Sequence, residues 1–96
     1  MARPYFAEAM RLARALDDRW RLSQILAWQA SAAAIAGDAT AVRAAAEEGC
    51  ELADAIGDRF DSLQCRGYLG WAQLWQGELA AAVAQFRRVA AEADED

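Results

Sequence analysis

Side chains that could perform covalent or acid–base chemistry are scarce in this sequence. Histidine and lysine are absent, and the serines Ser23, Ser31 and Ser62 have no base patterned beside them. Residue types alone therefore exclude nucleophilic triads, lysine-dependent phosphate loops, Schiff bases and imidazole metal sites. We expect a chain that is not an enzyme and that holds no cofactor.

Carboxylates form a pattern with metal-binding potential. Glu47, Glu51, Asp54 and Asp58 share one side of a predicted helix, where they could hold a hard cation such as calcium or magnesium. Loop carbonyls normally complete a calcium site, whereas these residues lie at helical spacing. We therefore interpret them as a solvated outer face opposite an apolar stripe, and we expect no metal.

The two cysteines, Cys50 and Cys65, belong to no CxxC pair. We expect both to be small, buried and reduced. There is no signal-peptide pattern, and the longest uncharged run, residues 22–37, is too short and too polar to span a bilayer. We expect a cytoplasmic chain with no membrane contact.

The charge balance bears on possible partners. The formal net charge is −5, and the single adjacent basic pair, Arg87 and Arg88, is followed by acidic residues. An acidic chain repels nucleic-acid phosphates and anionic lipid headgroups. We therefore expect no direct binding to nucleic acid.

Aromatic residues form the most informative stripe. Tyr68, Trp71 and Trp75 are spaced i, i+3, i+7 along one predicted helix. They could grip a partner peptide or helix, because aromatic anchors dominate interface energies. They could equally pack against a neighbouring repeat or a second copy of the chain. Trp28 is interpreted more simply as a core residue.

These side chains stand on a repeated framework. The stretch LARALDDRW, residues 12–20, returns as LADAIGDRF, residues 52–60, with five of nine residues identical at an offset of forty. Helix-stopping and helix-starting pairs such as Gly37-Asp38 recur between apolar periodic segments, and the connections are short. The pattern predicts one all-α domain over residues 1–96, of about five helices: a leading helix at 4–16 and antiparallel helical hairpins at 19–56 and 59–93.

Apolar spacing also predicts which side of each helix is buried. The aromatic residues Trp20 and Phe60, in the first turns of the two hairpins, are expected to seat those helices. Gly67 and Gly70 are expected to allow close helix approach. The predicted core-facing positions are Leu22, Ile25, Leu26, Gln29, Ala32, Ala33 and Ala36; Val42, Ala46, Gly49, Cys50, Ala53 and Ile56; Leu63, Gly67, Gly70 and Leu74; and Leu79, Val83, Phe86, Val89 and Ala90.

The segment LGWAQLWQGELAAAVAQFRRVA, residues 69–90, resembles a tetratricopeptide repeat. The family pattern of a leucine-glycine pair, a second glycine, an alanine and a phenylalanine falls on Leu69, Gly70, Gly77, Ala82 and Phe86. The tetratricopeptide period is about 34 residues, and the longer linker of this chain resembles the variant in large bacterial LuxR-type and AfsR-type transcriptional regulators.

The resemblance implies a TPR-like right-handed solenoid segment in which the first helix of each hairpin lines a concave groove. It implies a non-catalytic interaction scaffold whose partner is another protein, a peptide or the rest of a longer regulator chain. The groove residues that it implies are Gln24, Ser31, Gln64, Tyr68, Trp71 and Trp75.

Two other functions remain open at this stage. The chain could be a structural module that forms a homodimer to cover its apolar faces. It could also enclose a small-molecule sensor pocket between the hairpins, lined by Trp28, Tyr68 and Trp75.

Overall fold

The computed structural model describes the backbone of residues 2–93 and the side chains of residues 6–93. Over that range it contains five α-helices and no strand, which confirms the all-α prediction. Sequential helices pack against each other, and the first helices of the two hairpins also touch. The helices are α1 (Ala2–Ala15), α2 (Arg19–Ile35), α3 (Ala39–Ile56), α4 (Arg59–Trp75) and α5 (Leu79–Ala93).

The four turns share one backbone device. Each has a residue in the left-handed region just after a helix: φ is +76° at Gly37, +75° at Gly57 and +82° at Gly77, and +52° at Asp17. Glycine adopts this conformation without the penalty that a Cβ brings, so three of the four turns carry it. The repeated turn makes each helix double back on the one before.

An acidic residue follows each left-handed turn residue. Asp18, Asp38 and Asp58 precede α2, α3 and α4, and the side chain of each accepts a hydrogen bond of 3.1 Å from the backbone N–H three residues later. Such caps satisfy a backbone donor that the first helical turn leaves unpaired. In each turn the left-handed residue ends one helix and the acidic residue begins the next, and this local pattern produces the hairpins.

The core lies where α2, α3 and α4 meet. Most of its side chains are small: only Leu26 and Val42 are large and fully buried there, beside Ser23 and Cys65. The predicted stripe on α3 is buried except for Ile56, which is half-buried. On the predicted face of α2, Gln29, Ala32 and Ala33 are half-buried, and Ala36, just after the helix, is exposed. The buried apolar side chains include Leu22, Ile25, Leu26, Ala30, Val42, Ala46, Cys50, Ala53, Cys65 and Ala72.

The predicted buried sides of α4 and α5 were partly wrong. Leu74 is exposed and Gly67 has no neighbour within 4 Å of an added Cβ, whereas Gly70 does allow a close approach by Phe86. Helix α4 is contacted by α2, α3 and α5, so no single stripe describes its burial. On α5 only Ala82 is buried, because α4 is its one packing partner among the described helices.

The core assignment of Trp28 was wrong, and Trp20 and Phe60, expected to seat their helices, are also exposed. Trp28 is 55% exposed, Trp20 is 51% exposed and Phe60 is 76% exposed. The core between α2, α3 and α4 is filled by alanine, cysteine and leucine, which leaves no room for these rings. No helix in the described part of the chain has both the length and the apolar character to cross a membrane.

Candidate partner-binding groove

A groove runs between α2 and α4, the first helices of the two hairpins. It contains a cavity of about 290 Å³, hereafter the aromatic groove. Side chains from both helices and from the cap of α4 line it. The lining residues are Trp20, Gln24, Ala27, Trp28, Asp58, Phe60, Asp61 and Gln64.

Helical spacing explains how the rings reach this groove. Trp20, Gln24 and Trp28 follow one another at intervals of four, so they form one stripe along α2. Phe60 and Gln64 occupy the equivalent positions of α4, forty residues later. The two stripes face the same cavity, so the repeated sequence builds both walls of the groove.

The floor of the groove holds a buried polar pair. Asp61 is 5% exposed and Ser23 is fully buried. The Ser23 hydroxyl lies 3.1 Å from Oδ2 of Asp61 and 3.0 Å from the carbonyl oxygen of Trp20. Burial raises the pKa of the Asp61 carboxyl, the Ser23 hydrogen bond opposes that rise, and the charge of Asp58 adds to it.

Two of the six predicted groove residues line the aromatic groove, and the other four lie outside its lining. Gln24 and Gln64 line the aromatic groove together. Ser31 lies further along α2 and is half-buried. Tyr68 and Trp71 are half-buried and pack against the core beside Ala72.

Trp75 is 63% exposed near the end of α4. Its ring stacks on that of Trp71, with centroids 5.1 Å apart and an interplanar angle of 29°. Trp71 therefore contacts the core on one side and the exposed ring of Trp75 on the other. Aromatic contacts of this kind are worth about 0.5–1.5 kcal/mol beyond area burial.

The three residues predicted for a sensor pocket have different surroundings. Trp28 lines the aromatic groove and also a second cavity of about 450 Å³ between α1 and α2, with Leu12, Leu16 and Ile25. Tyr68 packs on the core, and Trp75 stacks on Trp71.

The cysteines lie at a tight contact between α3 and α4. Both are free and buried, as predicted. A Cβ built on Gly49 would come within 2.6 Å of the Cys65 sulfur, so glycine is needed for this approach. A hydrogen bond with Cys50, together with burial, raises the pKa of the Cys65 thiol. The protonated thiol is a poor nucleophile.

Two carboxylates of the predicted acidic stripe, both on α3, pair with arginines. Glu47 lies 3.4 Å from Arg43, and Asp54 accepts a 3.0 Å hydrogen bond from Arg66. Among the described residues, no group of three or more histidine, cysteine or acidic side chains could hold a metal ion.

The aromatic residues of the groove were missed because Trp28 was assigned to the core, and Trp20 and Phe60 were expected to seat the following helices. Their signal was nevertheless present. Large aromatic residues recur at equivalent places in the first turns of both hairpins, and a glutamine follows each by one helical turn. Spacing of four, repeated at an offset of forty, identifies a shared face, although it does not say whether that face is covered.

Comparison with curated proteins found relatives among transcriptional regulators. Proteins named as HTH-type transcriptional regulators, from Mycobacterium bovis and from two strains of Mycobacterium tuberculosis, are each 54% identical to this chain over 93 residues. The match covers 97% of the chain but 10% of each relative, so the chain spans about a tenth of their length.

Two other comparisons gave no match. No protein-family model matches the chain, and no solved structure matches it significantly. At 54% identity over nearly the whole chain, the chain is homologous to one segment of HTH-type transcriptional regulators.

Proposed function

We propose that this chain is a non-catalytic helical-repeat segment of a bacterial transcriptional regulator and that it binds a protein or peptide partner along the aromatic groove. One observation carries the proposal: three large rings, Trp20, Trp28 and Phe60, stand in solvent beside a core built of smaller side chains. Large aromatic side chains on a concave surface are typical interface anchors, because each can bury a large apolar area on a partner.

We further propose that the hairpins form a tetratricopeptide-like array. The contact between Gly70 and Phe86 supports this part, since ring atoms of Phe86 lie 2.9 Å from the position of an added Cβ at Gly70. Both residues belong to the motif that resembles the family.

Assignment to a LuxR-type regulator rests on the same resemblance. The names of the mycobacterial relatives support the broader class of HTH-type transcriptional regulators. A regulator with a helix-turn-helix reads DNA, so we place the segment in the cytoplasm.

The proposed binding surface extends beyond the cavity along both helices. Gln24 and Gln64 provide hydrogen-bonding groups between the rings. Ser31, Tyr68, Trp71 and Trp75 would continue the surface toward the far ends of α2 and α4. The partner is another protein, a peptide or another part of the same regulator, and the acidic charge of the chain argues against nucleic acid.

The test uses a full-length regulator that contains this segment. We expect Trp28→Ala, alone and combined with Trp20→Ala and Phe60→Ala, to reduce regulated transcription of a reporter gene. DNA binding in vitro should be unchanged, because the groove lies outside the DNA-reading domain. Glu51→Ala is the control, since it removes a large exposed side chain from α3, outside both the groove and the apolar face of α5. Normal regulation by the triple variant would overturn the proposal.

A homodimerising module is the second candidate function. The apolar face of α5 favours it, with Leu79 60% exposed, Val83 46% exposed and Phe86 41% exposed. A dimer built on this face would melt at a temperature that rises with protein concentration, and Val83→Glu would abolish that dependence. A melting temperature independent of concentration would exclude the dimer.

A further inference from the structure

The electrostatics of the aromatic groove point to the chemistry of its partner. Two of the eight lining residues, Asp58 and Asp61, carry carboxylates, and none is basic. The arginines next in sequence to lining residues have other partners. Arg19 lies 3.9 Å from Asp17, Arg21 lies 3.1 Å from Asp18, and Arg59 donates to the carbonyl of Glu92. The cavity therefore combines negative charge with three aromatic rings.

Asp61 is short of hydrogen-bond donors. Ser23 has a single hydroxyl hydrogen, and that hydrogen has two acceptors within reach, the Trp20 carbonyl and Oδ2 of Asp61. The carboxylate is thus at most partly satisfied although it is 5% exposed. Because Asp61 lines the cavity and receives its side-chain hydrogen bond from Ser23, a guanidinium that enters the cavity could add further donors to this carboxylate.

The rings favour the same kind of ligand. Trp20 and Trp28 are spaced two helical turns apart on α2, and Phe60 faces them from α4. The faces of indole and phenyl rings attract cations, tryptophan most strongly. Of the cationic side chains, the guanidinium of arginine is planar: it can stack on a ring and also bind a carboxylate through two N–H groups.

We propose that the aromatic groove receives an arginine side chain of the partner, whose guanidinium stacks between the rings and donates to the carboxylate of Asp61. This inference rests on the proposed function and specifies its ligand. The net charge of −5 gives the whole chain an attraction for such a basic partner segment.

The experiment titrates the 96-residue chain with a short capped peptide that contains one arginine between apolar residues, and follows tryptophan fluorescence. The reference peptide replaces arginine by citrulline, which keeps the shape and removes the charge. We expect a saturable change with the arginine peptide, at least about tenfold weaker binding of the citrulline peptide, and weaker binding at high salt.

Two variants locate the site. Asp61→Asn should weaken binding of the arginine peptide by about tenfold and leave the affinity for the citrulline peptide unchanged. Glu51→Gln removes the same charge from an exposed position on α3 and should have no effect. Circular dichroism verifies that both variants are folded.

The possible results distinguish failure of the arginine proposal from failure of the proposed partner-binding function. If both peptides bind equally well and Trp28→Ala weakens both, the preference for arginine is wrong, while binding in the aromatic groove is retained. Failure of the arginine peptide to bind also overturns the inference, while the reporter assay on Trp28→Ala judges the groove independently. If free arginine amide binds as tightly as the peptide, the ligand is a small-molecule cation and not a side chain of a partner. This result would likewise contradict the proposal.

Discussion

Two regions of the molecule, the small-residue junction where α2, α3 and α4 meet and the aromatic groove between α2 and α4, differ in nearly every respect. At the small-residue junction, Ala27 of α2 packs with Cys50 and Cys65, and Gly49 lies against the Cys65 sulfur. One residue further along α2, Trp28 projects into the aromatic groove and stays more than half exposed. The junction is closed by small side chains, and the groove is held open by large ones.

The difference shows how a small core and an open surface depend on each other. Side chains of alanine, glycine and cysteine let α3 and α4 approach closely, which fixes the two hairpins with little apolar volume. The large rings are then not needed inside and are available at the surface. A chain of 96 residues can in this way be stable and still expose three tryptophans.

The strongest contrast lies between neighbouring positions of α2. Leu26 is 1% exposed, so we expect Leu26→Ala to lower the free energy of unfolding by about 2–5 kcal/mol, because it leaves a cavity. Trp28→Ala should lower it by less than about 1 kcal/mol, as surface substitutions do. Urea denaturation followed by circular dichroism measures both. Equal losses would mean that the groove is part of the core.

Two glycines test the closed junction. Gly49→Ala should cost about 1–3 kcal/mol through overpacking against Cys65, offset in part by the better helix propensity of alanine. Gly67→Ala is its control on α4: nothing lies within 4 Å of the added Cβ, so it should stabilise by about 0.5–1 kcal/mol.

A rescue experiment makes this test specific. Cys65→Ala added to Gly49→Ala should recover part of the lost stability, since it removes the sulfur that the new methyl group meets. Additive losses in the double variant would contradict the proposed contact.

The pH dependence of stability probes the floor of the groove. The pKa of Asp61 is raised in the folded chain, so the folded chain keeps a proton that the unfolded chain has released. Stability should therefore fall as the pH rises from about 3.9, the ordinary aspartate value, through the folded-state pKa, and the loss persists at pH 7. Asp61→Asn should remove this decline and be the more stable chain at neutral pH.

Melting curves across this pH range, with Glu51→Gln as the equal-charge control, measure the effect. A variant Asp61→Asn that is less stable than the natural chain at pH 7 would show that the ionised carboxylate stabilises the fold instead.

The smallest expected effect lies in the first turn. Asp17 is the one non-glycine residue with positive φ in the described chain, at +52°, where the other three turns have glycine. Asp17→Gly should raise the free energy of unfolding by about 0.5–1 kcal/mol by relieving that strain. Its ion pair with Arg19, at 3.9 Å and exposed, is too weak to offset the gain. A lower denaturation midpoint would indicate that the Asp17 side chain has a structural role.

Local signals in the sequence were sufficient to predict the helices and turns. They were not sufficient to predict which face of each helix is buried. Gly37, Gly57 and the acidic caps mark the turns because backbone geometry restricts residue type there. Trp28 is two positions from Leu26 and therefore lies on another side of α2, yet it was assigned to the core. Periodicity identifies a stripe but cannot reveal which stripe a neighbouring helix covers, since that depends on contacts between α2 and α4 that are forty residues apart.

The most direct test of the account is hydroxyl-radical labelling of the folded chain, with modified residues identified by mass spectrometry. If the groove is open and the junction closed, Trp20, Trp28 and Phe60 will be oxidised rapidly, while Cys50 and Cys65, intrinsically reactive but buried, will be protected. Protection of Trp20 and Trp28 to the level of Cys65 in dilute solution would contradict the account, because it would show that the aromatic groove is already filled.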